Sequence, residues 1–320
     1  MAPSLQLLLS PMTAFAATFL ILAALLRTGW AAWLALDNPN QRSLHYAPVP
    51  RVGGIAIVAA LLISWLLLDA PLLLAGIVAT LTVISYLDDR RGLPVVLRLA
   101  VHGLAALTVV WMGIGFSNIL LVVVLVLFVT CMTNLYNFMD GADGLAGGMT
   151  LFGFGFLSLA AGLAGEMQFA LLNGSIAAAA AAFLLFNFHP ARVFMGDAGS
   201  IPLGFLAATC GLWGWQKGCW PLWFPLLVFS TFIADATLTL LRRMVHGEKF
   251  WQAHHEHYYQ RLVRMGWGHR KTALAEYCVM LLSGVSALIA LFLTPSMQLA
   301  VVVAWLIIFG LMMMLVDRNW

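Results

Sequence analysis

Carboxylates that could bind a metal ion or move a proton appear in three short polar segments of a largely apolar chain. The first is Asp88-Asp89, at the end of the third apolar run. Adjacent carboxylates at a helix end are costly unless they are paired or bind a metal. Their side chains would point about 100° apart on a helix, so one can face a site while the other braces it. A helix end meeting water, with Arg90 and Arg91 as counterions, is the simpler alternative.

The second segment passes from Asn134 through Asn137 to Asp140, each three residues apart, and then to Asp143. A continuing helix would place the first three side chains on one side. The sequence Asp-Gly-Ala-Asp-Gly at 140–144 then breaks the helix and presents two carboxylates on a flexible backbone. A calcium loop would need further oxygen ligands and a distal Glu, and neither follows. A plain turn is the alternative, but amides at a lipid boundary favour a polar site.

The third segment begins at Asn187 and reads Phe-Met-Gly-Asp-Ala-Gly-Ser over residues 194–200. Gly-Asp-x-Gly-Ser before a new helix lets the backbone approach an anion or a metal closely. Mg²⁺ prefers oxygen ligands, keeps several waters and often bridges phosphates, so Asp197 is a candidate ligand. Phe194 could stack on a base. Alternatively, the motif is a helix N-cap and nothing more.

Basic residues and histidines form the remaining polar groups. Arg42 and Arg51 precede Gly53-Gly54 and could hold phosphate, or they could be charges flanking a span. Later, the stretch 254–259 reads His-His-Glu-His-Tyr-Tyr. It could bind pyrophosphate or a sugar, or form an interfacial aromatic belt, and it is not the HExxH zinc helix. Asp235 lies inside an apolar run, which makes it a functional candidate whose simplest partner is a neighbouring arginine.

The composition requires a membrane protein. Of the 320 residues, 62% are hydrophobic and only 9% are charged, with a net charge of +3. Soluble domains carry about 25% charged residues, so a soluble domain, a disordered chain and a basic nucleic-acid binder are excluded. The four cysteines form no CxxC pair, and they are expected to be small apolar residues in packed helices.

We predict an all-α polytopic fold of about eleven membrane-spanning helices, with ten as the alternative, in a single domain over 1–320. The first 26 residues carry no Lys or Arg, so the first run is expected to be a retained span rather than a signal peptide. The apolar runs lie at about 4–26, 53–68, 71–87, 96–114, 119–137, 149–165, 168–188, 201–216, 220–241, 273–293 and 297–316.

The connections between these runs fall into two sets. Of the 16 Lys and Arg residues, only Lys217 falls in the shorter set. By the positive-inside rule the longer connections are cytoplasmic, the N-terminus is outside and the C-terminus is inside. The cytoplasmic loops that would form the active site are 27–52, 88–95, 138–148, 189–200 and 242–272.

The carboxylates also concentrate on this predicted cytoplasmic side. That arrangement favours chemistry at the boundary of membrane and cytosol, with a lipid as one substrate. A transporter or lipid flippase, the alternative function, would need ionisable groups near the midplane, where only Asp235 and His102 lie. Other membrane transferases, the CDP-alcohol phosphotransferases and the intramembrane prenyltransferases, have longer acidic patterns that are absent here.

Taken together, the four motifs over residues 37–262 resemble the polyprenyl-phosphate N-acetylhexosamine-1-phosphate transferase family. The resemblance implies that undecaprenyl phosphate attacks the β-phosphate of a UDP-N-acetyl sugar and releases UMP, with Mg²⁺, or Mn²⁺ in its place. It also implies a multi-pass enzyme of the bacterial inner membrane with a cytoplasmic active site, and a homodimer. Nucleic acid is not an expected partner.

The resemblance assigns roles residue by residue. Asp88 would be a base or a positioner of the lipid phosphate, and Asp89 and Asp197 would be near or bind the metal. Asp143 and Phe194 would read and stack on uracil. The other residues of the predicted substrate site are Asn137, Asp140, Asn187, Arg42, Arg51 and His257.

Two departures from the family pattern bear on the sugar. Where many members have a His-x-His-His run, this chain reads His257-Tyr258-Tyr259-Gln260, and the lysine common after the Asp pair is absent. The first departure resembles the branch that starts O-antigen and capsular polymers. The sugars implied are N-acetylglucosamine and its 6-deoxy relatives.

Overall fold

In the computed structural model, which describes residues 5–39, 44, 47–115, 118–248 and 256–320, the chain is almost entirely helical. The only strands described are β1 (Leu36–Asp37) and β2 (Val49–Pro50), which pair antiparallel. A π-helical turn at Val263–Trp267 precedes α13. The helices are α1 (Leu5–Thr28), α2 (Trp30–Leu34), α3 (Gly53–Trp65), α4 (Leu72–Arg91), α5 (Val95–Ile114), α6 (Ile119–Phe138), α7 (Leu145–Leu163), α8 (Met167–Asn187), α9 (Asp197–Gln216), α10 (Trp223–Val228), α11 (Ser230–Val245), α12 (Tyr258–Leu262), α13 (Gly268–Ala290) and α14 (Pro295–Asn319).

Eight helical stretches in the described residues are long and apolar enough to cross a membrane, so the predicted all-α polytopic fold is confirmed. The eleven-span count and the sidedness of the termini stay predictions. Two apolar runs form shorter helices than the hydropathy pattern indicates. The run at 53–68 gives only the 13-residue α3, and the run at 220–241 is divided between α10 and α11.

Helix α9 lies at the centre of the bundle. Its residues from Ala198 to Leu212 are all buried, and it contacts α3, α4, α5, α6 and α7. Small residues make this possible, because a Cβ on Gly204 would lie 2.5 Å from the Cβ of Tyr136 on α6. Helices in a membrane associate through such close backbone approaches. The N-terminus of α9 is therefore held in place by several neighbouring helices.

The glycine pair Gly53-Gly54 joins the start of α3 to the loop before α9. The backbone N–H groups donate to the carbonyl oxygens of Phe194 and Met195, each at 2.9 Å. A Cβ on Gly54 would lie 2.2 Å from the backbone nitrogen of Gly199. The glycine pair therefore allows two backbone segments of the protein to approach each other closely.

The β1–β2 pair brings the loop between α2 and α3 to the same end of the bundle. Leu36 is opposite Pro50 and Asp37 is opposite Val49. The N–H of Arg51 also donates to the carbonyl of Ala35 at 3.0 Å. Asp37 and Arg51 are consequently neighbours at the end of the bundle where α9 begins.

Candidate active site

Two carboxylates bind consecutive backbone amides at the N-terminus of α9. The N–H of Asp197 donates to Oδ2 of Asp89 at 3.2 Å, and the carboxylate of Asp140 accepts a hydrogen bond from the N–H of Gly196. Free N–H groups and the helix dipole make such an end favourable for negative charge. Asp197 itself is the first residue of the helix. Three of the predicted acidic residues are thus brought to the same helix end.

Gly196 is required for this arrangement. Its φ is +71°, a region that residues with a Cβ rarely adopt. A Cβ there would lie 3.3 Å from Oδ2 of Asp89 and from the Cβ of Arg51. The predicted tight approach at the Gly-Asp-x-Gly-Ser motif is therefore present.

Asn137 connects α6 to this cluster. Its side chain hydrogen-bonds the carboxylate of Asp197, and its Oδ1 accepts from Oγ of Ser200 at 2.5 Å. Ser200 lies one turn into α9. The amide therefore fixes the orientation of Asp197, and the structure places it at the predicted site.

Arg51 is the cation of the cluster. Its Nη2 lies 2.8 Å from Oδ2 of Asp37, and its Nη1 lies 3.5 Å from Oδ1 of Asp89. The side chain keeps 36% of its surface exposed, so the guanidinium can also meet a ligand. Arg42, the other predicted phosphate-binding arginine, lies outside the described residues. Asp37 was missed as a site residue, because no motif surrounds it in the sequence.

The cluster carries more negative than positive charge. Burial and the neighbouring Asp197 raise the pKa of Asp140 to about 7, against an ordinary value of 3.8. Perturbed carboxylates of this kind concentrate at functional sites. A cation that joined the cluster would relieve the repulsion and return the proton to solvent.

The donor chemistry of the cluster suits a hard divalent cation. In the described part of the chain, no three His, Cys, Asp or Glu side chains are arranged around one point as a complete metal site. Mg²⁺ does not require such a cage, since it is commonly held by one or two carboxylates together with waters and substrate phosphates. The carboxylates of Asp197, Asp140 and Asp89 offer oxygen ligands only, so the residues fit Mg²⁺.

A cavity of about 200 Å³ opens beside the cluster. It combines carboxylates, one arginine, amides and an aromatic ring, so an anionic ligand would need a bound cation to offset the carboxylates. Its walls are formed by Asp37, Leu44, Arg51, Asp140, Gly141, Ala142, Asp143, Asn187, Phe194, Gly196, Asp197, Gln260 and His269.

Asp143 is held between two histidines. Its Oδ2 accepts from Nδ1 of His189 at 2.6 Å and from the N–H of Ala191 at 3.1 Å. The N–H of Asp143 donates to Nδ1 of His269 at 3.1 Å, and Nε2 of His269 bonds the carbonyl of Leu44 at 3.0 Å. Because Nδ1 of His269 accepts a hydrogen bond and its Nε2 faces a carbonyl oxygen, the ring proton of His269 lies on Nε2. The two imidazoles stack 5.4 Å apart at an angle of 1°. Sequence reasoning missed both, because isolated histidines give no pattern.

Asn187 and Phe194 connect the loops around the cavity. The buried Asn187 accepts from the N–H of Gly144 and donates to the carbonyl of Val193, both at 2.9 Å. The backbone of Phe194 bonds Pro50 and Gly53 at 2.8 and 2.9 Å. Both side chains line the cavity, so the structure brings them to the predicted site.

Asp88 is not among the residues that line the cavity. Its Oδ2 lies 2.6 Å from Nη1 of Arg98, and its Oδ1 accepts from the N–H of Leu93 at 2.6 Å. The two aspartates thus have different partners, with Asp89 in the cluster and Asp88 paired with Arg98, and their predicted roles stay predictions. Arg98 was missed because it lies inside an apolar run, one turn beyond the start of α5.

His257 is also set back from the cavity. The buried ring lies 3.2 Å from Asp235 through Nδ1, and Asp235 also accepts from the N–H groups of Tyr258 and Tyr259, both at 2.9 Å. The expectation that Asp235 pairs with an arginine is therefore wrong, because the start of α12 supplies its partners. Gln260, one turn on, lines the cavity instead. His254 and His255 lie outside the described residues.

Asp235 and His102 are the two ionisable groups that the transporter alternative would use. Asp235 accepts hydrogen bonds from the start of α12. Nδ1 of His102 lies 3.4 Å from Nδ2 of Asn134. Both are buried. Neither therefore favours a transport path.

Comparison with known proteins identifies the chain as similar to membrane transferases. Residues 71–214, which carry Asp88, Asp89, Asn137, Asp140 and Asp197, match the model of glycosyl transferase family 4. The chain is 28% identical over 275 residues to a probable undecaprenyl-phosphate N-acetylglucosaminyl 1-phosphate transferase of Bacillus subtilis, covering 80% of this chain and 77% of that protein.

Two further relatives extend the match. A decaprenyl-phosphate N-acetylglucosaminephosphotransferase of Mycolicibacterium smegmatis is 29% identical over 339 residues, covering 87% of this chain and 83% of its own length. A phospho-N-acetylmuramoyl-pentapeptide-transferase of Moorella thermoacetica is 32% identical over 218 residues, covering 58% of this chain and 67% of that protein. The chain belongs to glycosyl transferase family 4, the polyprenyl-phosphate N-acetylhexosamine-1-phosphate transferases that its motifs predict.

Proposed function

We propose that the chain transfers an N-acetylhexosamine 1-phosphate from a UDP-sugar to undecaprenyl phosphate and releases UMP. The observation that carries this proposal is the gathering of Asp89, Asp140 and Asp197 with Arg51 around the N-terminus of α9, beside a polar cavity. Relatives named for undecaprenyl- and decaprenyl-phosphate substrates support the lipid acceptor. Their names also support N-acetylglucosamine over other sugars.

In this reaction an oxygen of the lipid phosphate forms a bond to the β-phosphorus of the donor. The bond between that phosphorus and the bridging oxygen breaks, and UMP leaves with the electron pair. Both reactants are anionic, so catalysis consists chiefly of positioning and charge neutralisation. Mg²⁺ held by Asp197, with Asp89 and Asp140 beside it, would neutralise charge on the pyrophosphate. Arg51 contributes a second positive charge at the edge of the cavity.

The nucleotide would be held on the opposite wall. Phe194 offers a ring on which uracil can stack, and base stacking of this kind contributes about 1–3 kcal/mol. Asp143, whose carboxylate is oriented by His189 and by the N–H of Ala191, would accept a hydrogen bond from the imide N–H of uracil. Asn187 bonds Gly144 and Val193, and it thereby fixes the distance between the two loops that form this wall.

Asp88 would assist binding of the lipid acceptor indirectly, by orienting the side chain of Arg98. A lipid phosphate near neutral pH is already largely ionised, so a strong base is not required. The ion pair of 2.6 Å orients the guanidinium of Arg98, which can meet the lipid phosphate as it reaches the end of α4.

The wider setting follows from the sequence. All but one of the Lys and Arg residues lie on the side of the catalytic loops, which supports a site on the cytoplasmic face of a bacterial inner membrane. The reaction would then be the first membrane step of an O-antigen or other envelope polysaccharide. We also propose a homodimer and a sugar of the N-acetylglucosamine or 6-deoxy type.

The deciding experiment is UMP release by purified protein with undecaprenyl phosphate, Mg²⁺ and a panel of UDP-N-acetyl sugars. We expect UMP release that requires both the lipid and Asp197. The sugar that gives the fastest release identifies the branch of the family to which the enzyme belongs. If no sugar supports release while UDP still binds, the proposed acceptor or sugar is wrong. If UDP does not bind either, the donor class is wrong.

A further inference from the structure

The last turn of α14 contacts α12 through a single carboxylate. Oδ1 of Asp317 lies 2.7 Å from Nη1 of Arg261, and Oδ2 accepts from the hydroxyl of Tyr258 at 3.1 Å. Arg242 on α11 pairs with the same carboxylate. Three helices therefore meet at Asp317. We call Asp317, Arg261 and Tyr258 the α12 clasp.

The clasp is costly to break because Arg261 is deeply buried. Only 2% of its side chain is exposed, and its guanidinium lies 4.9 Å from the ring centroid of Tyr258 and 5.7 Å from that of Trp320. A buried guanidinium that loses its carboxylate is left as an uncompensated charge, which is strongly unfavourable. Loss of Asp317 should therefore displace α12 rather than leave it in place.

Helix α12 is in turn part of the wall of the candidate active site. The hydroxyl of Tyr259 donates to the carbonyl of Phe138 at 3.1 Å, just before Asp140. A Cβ on Gly141 would lie 2.2 Å from that hydroxyl, so α12 and the Asp140–Asp143 loop fit closely. Gln260 lines the cavity, and its Oε1 accepts from the N–H of His257.

We propose that Asp317 is a positioning residue, which holds α12 through Arg261 and Tyr258 and thereby sets Gln260 and the Asp140–Asp143 loop for donor binding. The part of this inference that concerns the donor rests on the proposed function. The part that concerns the position of α12 does not. A five-residue helix is too short to be stable alone, and the clasp adds tertiary contacts to those that Asp235 and the carbonyl of Phe138 make with it.

The test compares hydrogen–deuterium exchange in wild type, Asp317→Asn and Asp317→Glu, each purified at full length. In Asp317→Asn, exchange at residues 257–262 should rise by about tenfold, while exchange in α9 stays unchanged. Asp317→Glu, which retains the carboxylate, should keep most of the protection. Glu166→Gln is the matched control, because it removes the exposed ion pair of 3.0 Å with Lys217 elsewhere in the protein.

Kinetics then separate positioning from a purely structural role. In Asp317→Asn the KM for the UDP-sugar should rise by about tenfold, with the KM for the lipid acceptor unchanged. If Asp317→Asn does not fold, Tyr258→Phe removes one bond of the clasp and should give a smaller rise in both exchange and donor KM. Unchanged exchange at 257–262 would overturn the clasp, and raised exchange with unchanged donor affinity would overturn its role at the site.

The exchange and binding experiments on Asp317 can be interpreted independently of the transferase assay. If wild type shows no transfer of any sugar, the proposed function fails, but exchange and UDP binding still decide the inference. Donor affinity is then measured as the Kd for UDP in the same set of variants.

Discussion

The backbone N–H of Asp197 donates to Oδ2 of Asp89 at 3.2 Å, so the metal candidate on α9 and the acidic pair ending α4 are directly connected. With Asp140 on the adjacent amide, the three carboxylates share one helix end. The positions of these carboxylates are therefore coupled, and substitutions among them should not behave independently.

Replacement of Asp197 by Asn should abolish turnover without unfolding the protein. The change keeps the volume and the N-terminal position in α9, but it removes the charge that the cation requires. We expect turnover to fall by about a thousandfold, since several kcal/mol of charge stabilisation depend on this ligand. UMP release and the thermal midpoint are measured together, with Glu166→Gln as a carboxylate control outside the site. Near-normal turnover in Asp197→Asn would remove the residue from the mechanism.

Cation binding should depend on pH through Asp140. Its pKa in the folded protein is raised to about 7 from 3.8, so the protonated form is favoured by folding. Without a cation, its contribution to stability becomes less favourable as pH rises from about 4 to about 7, and it changes little above that. A cation must displace this proton, so Mg²⁺ affinity should rise with pH up to about 7 and then level off.

Calorimetry in two buffers of different ionisation enthalpy measures the proton released on Mg²⁺ binding. Release should approach one proton below the pKa of Asp140 and vanish well above it. In Asp140→Asn this pH dependence should be weaker than in wild type, because Asp89 and Asp197 still lie at the same helix end. An identical pH profile in that variant would assign the proton to another group.

Asp88 and Arg98 should act as a unit. Asp88→Asn and Arg98→Gln each break the ion pair of 2.6 Å, so the double variant should be little worse than either single variant. The coupling in kcat/KM should be at least about 1 kcal/mol. Arg90→Gln is the matched control, because Arg90 is exposed and bonds only the hydroxyl of Tyr86 among the contacts described. Additive losses would indicate that Asp88 works independently of Arg98.

Replacement of Phe194 by Ala should mainly weaken donor binding. Loss of the ring removes the stacking surface, so the KM for the UDP-sugar should rise by about tenfold while kcat changes little. Phe194→Tyr keeps a ring and should remain close to wild type. Initial-rate kinetics at saturating lipid distinguish the two variants, and an unchanged KM in Phe194→Ala would refute stacking.

The glycine contact between α3 and α9 should be intolerant of a methyl group. A Cβ on Gly54 would lie 2.2 Å from the backbone nitrogen of Gly199, so Gly54→Ala must separate the two helix ends. We expect a loss of about 1–3 kcal/mol in stability and a loss of activity. Gly76→Ala on α4 meets no atom within 4 Å and should be neutral. Thermal unfolding in one detergent compares the two, and equal midpoints would contradict the contact.

Much of the fold could be predicted from the sequence, because apolar runs and loop charges follow directly from the solvent properties of a bilayer. The family could be predicted as well, since Asp88-Asp89, Asn137 and Asp197 each lie in a short motif that can be read directly from the sequence. The predicted helix boundaries were wrong where a helix is shorter than its apolar run or where one run is divided between two helices. The break between α10 and α11 falls at Phe229, inside a continuous apolar run.

The supporting residues could not be predicted, because their roles arise from long-range contacts. Asp37 depends on the β1–β2 pairing, and His189 and His269 meet only when the loop after α8 reaches the start of α13. Asp235 has two arginines nearby in sequence at 242–243, yet its partners come from α12. Local spacing carries no information about such pairs.

The enclosure of α9 by protein has a consequence for how the membrane can act on the enzyme. Bilayers of different thickness tilt or bend helices that lipid touches directly. Helix α9 is buried from Ala198 to Leu212. Its first turn is fixed to α4 and α6 by hydrogen bonds, and the loop just before it is fixed to α3. A thinner or thicker bilayer should therefore shift the outer helices without moving the carboxylates relative to one another. The geometry of the candidate active site should then be the same in membranes of varied composition.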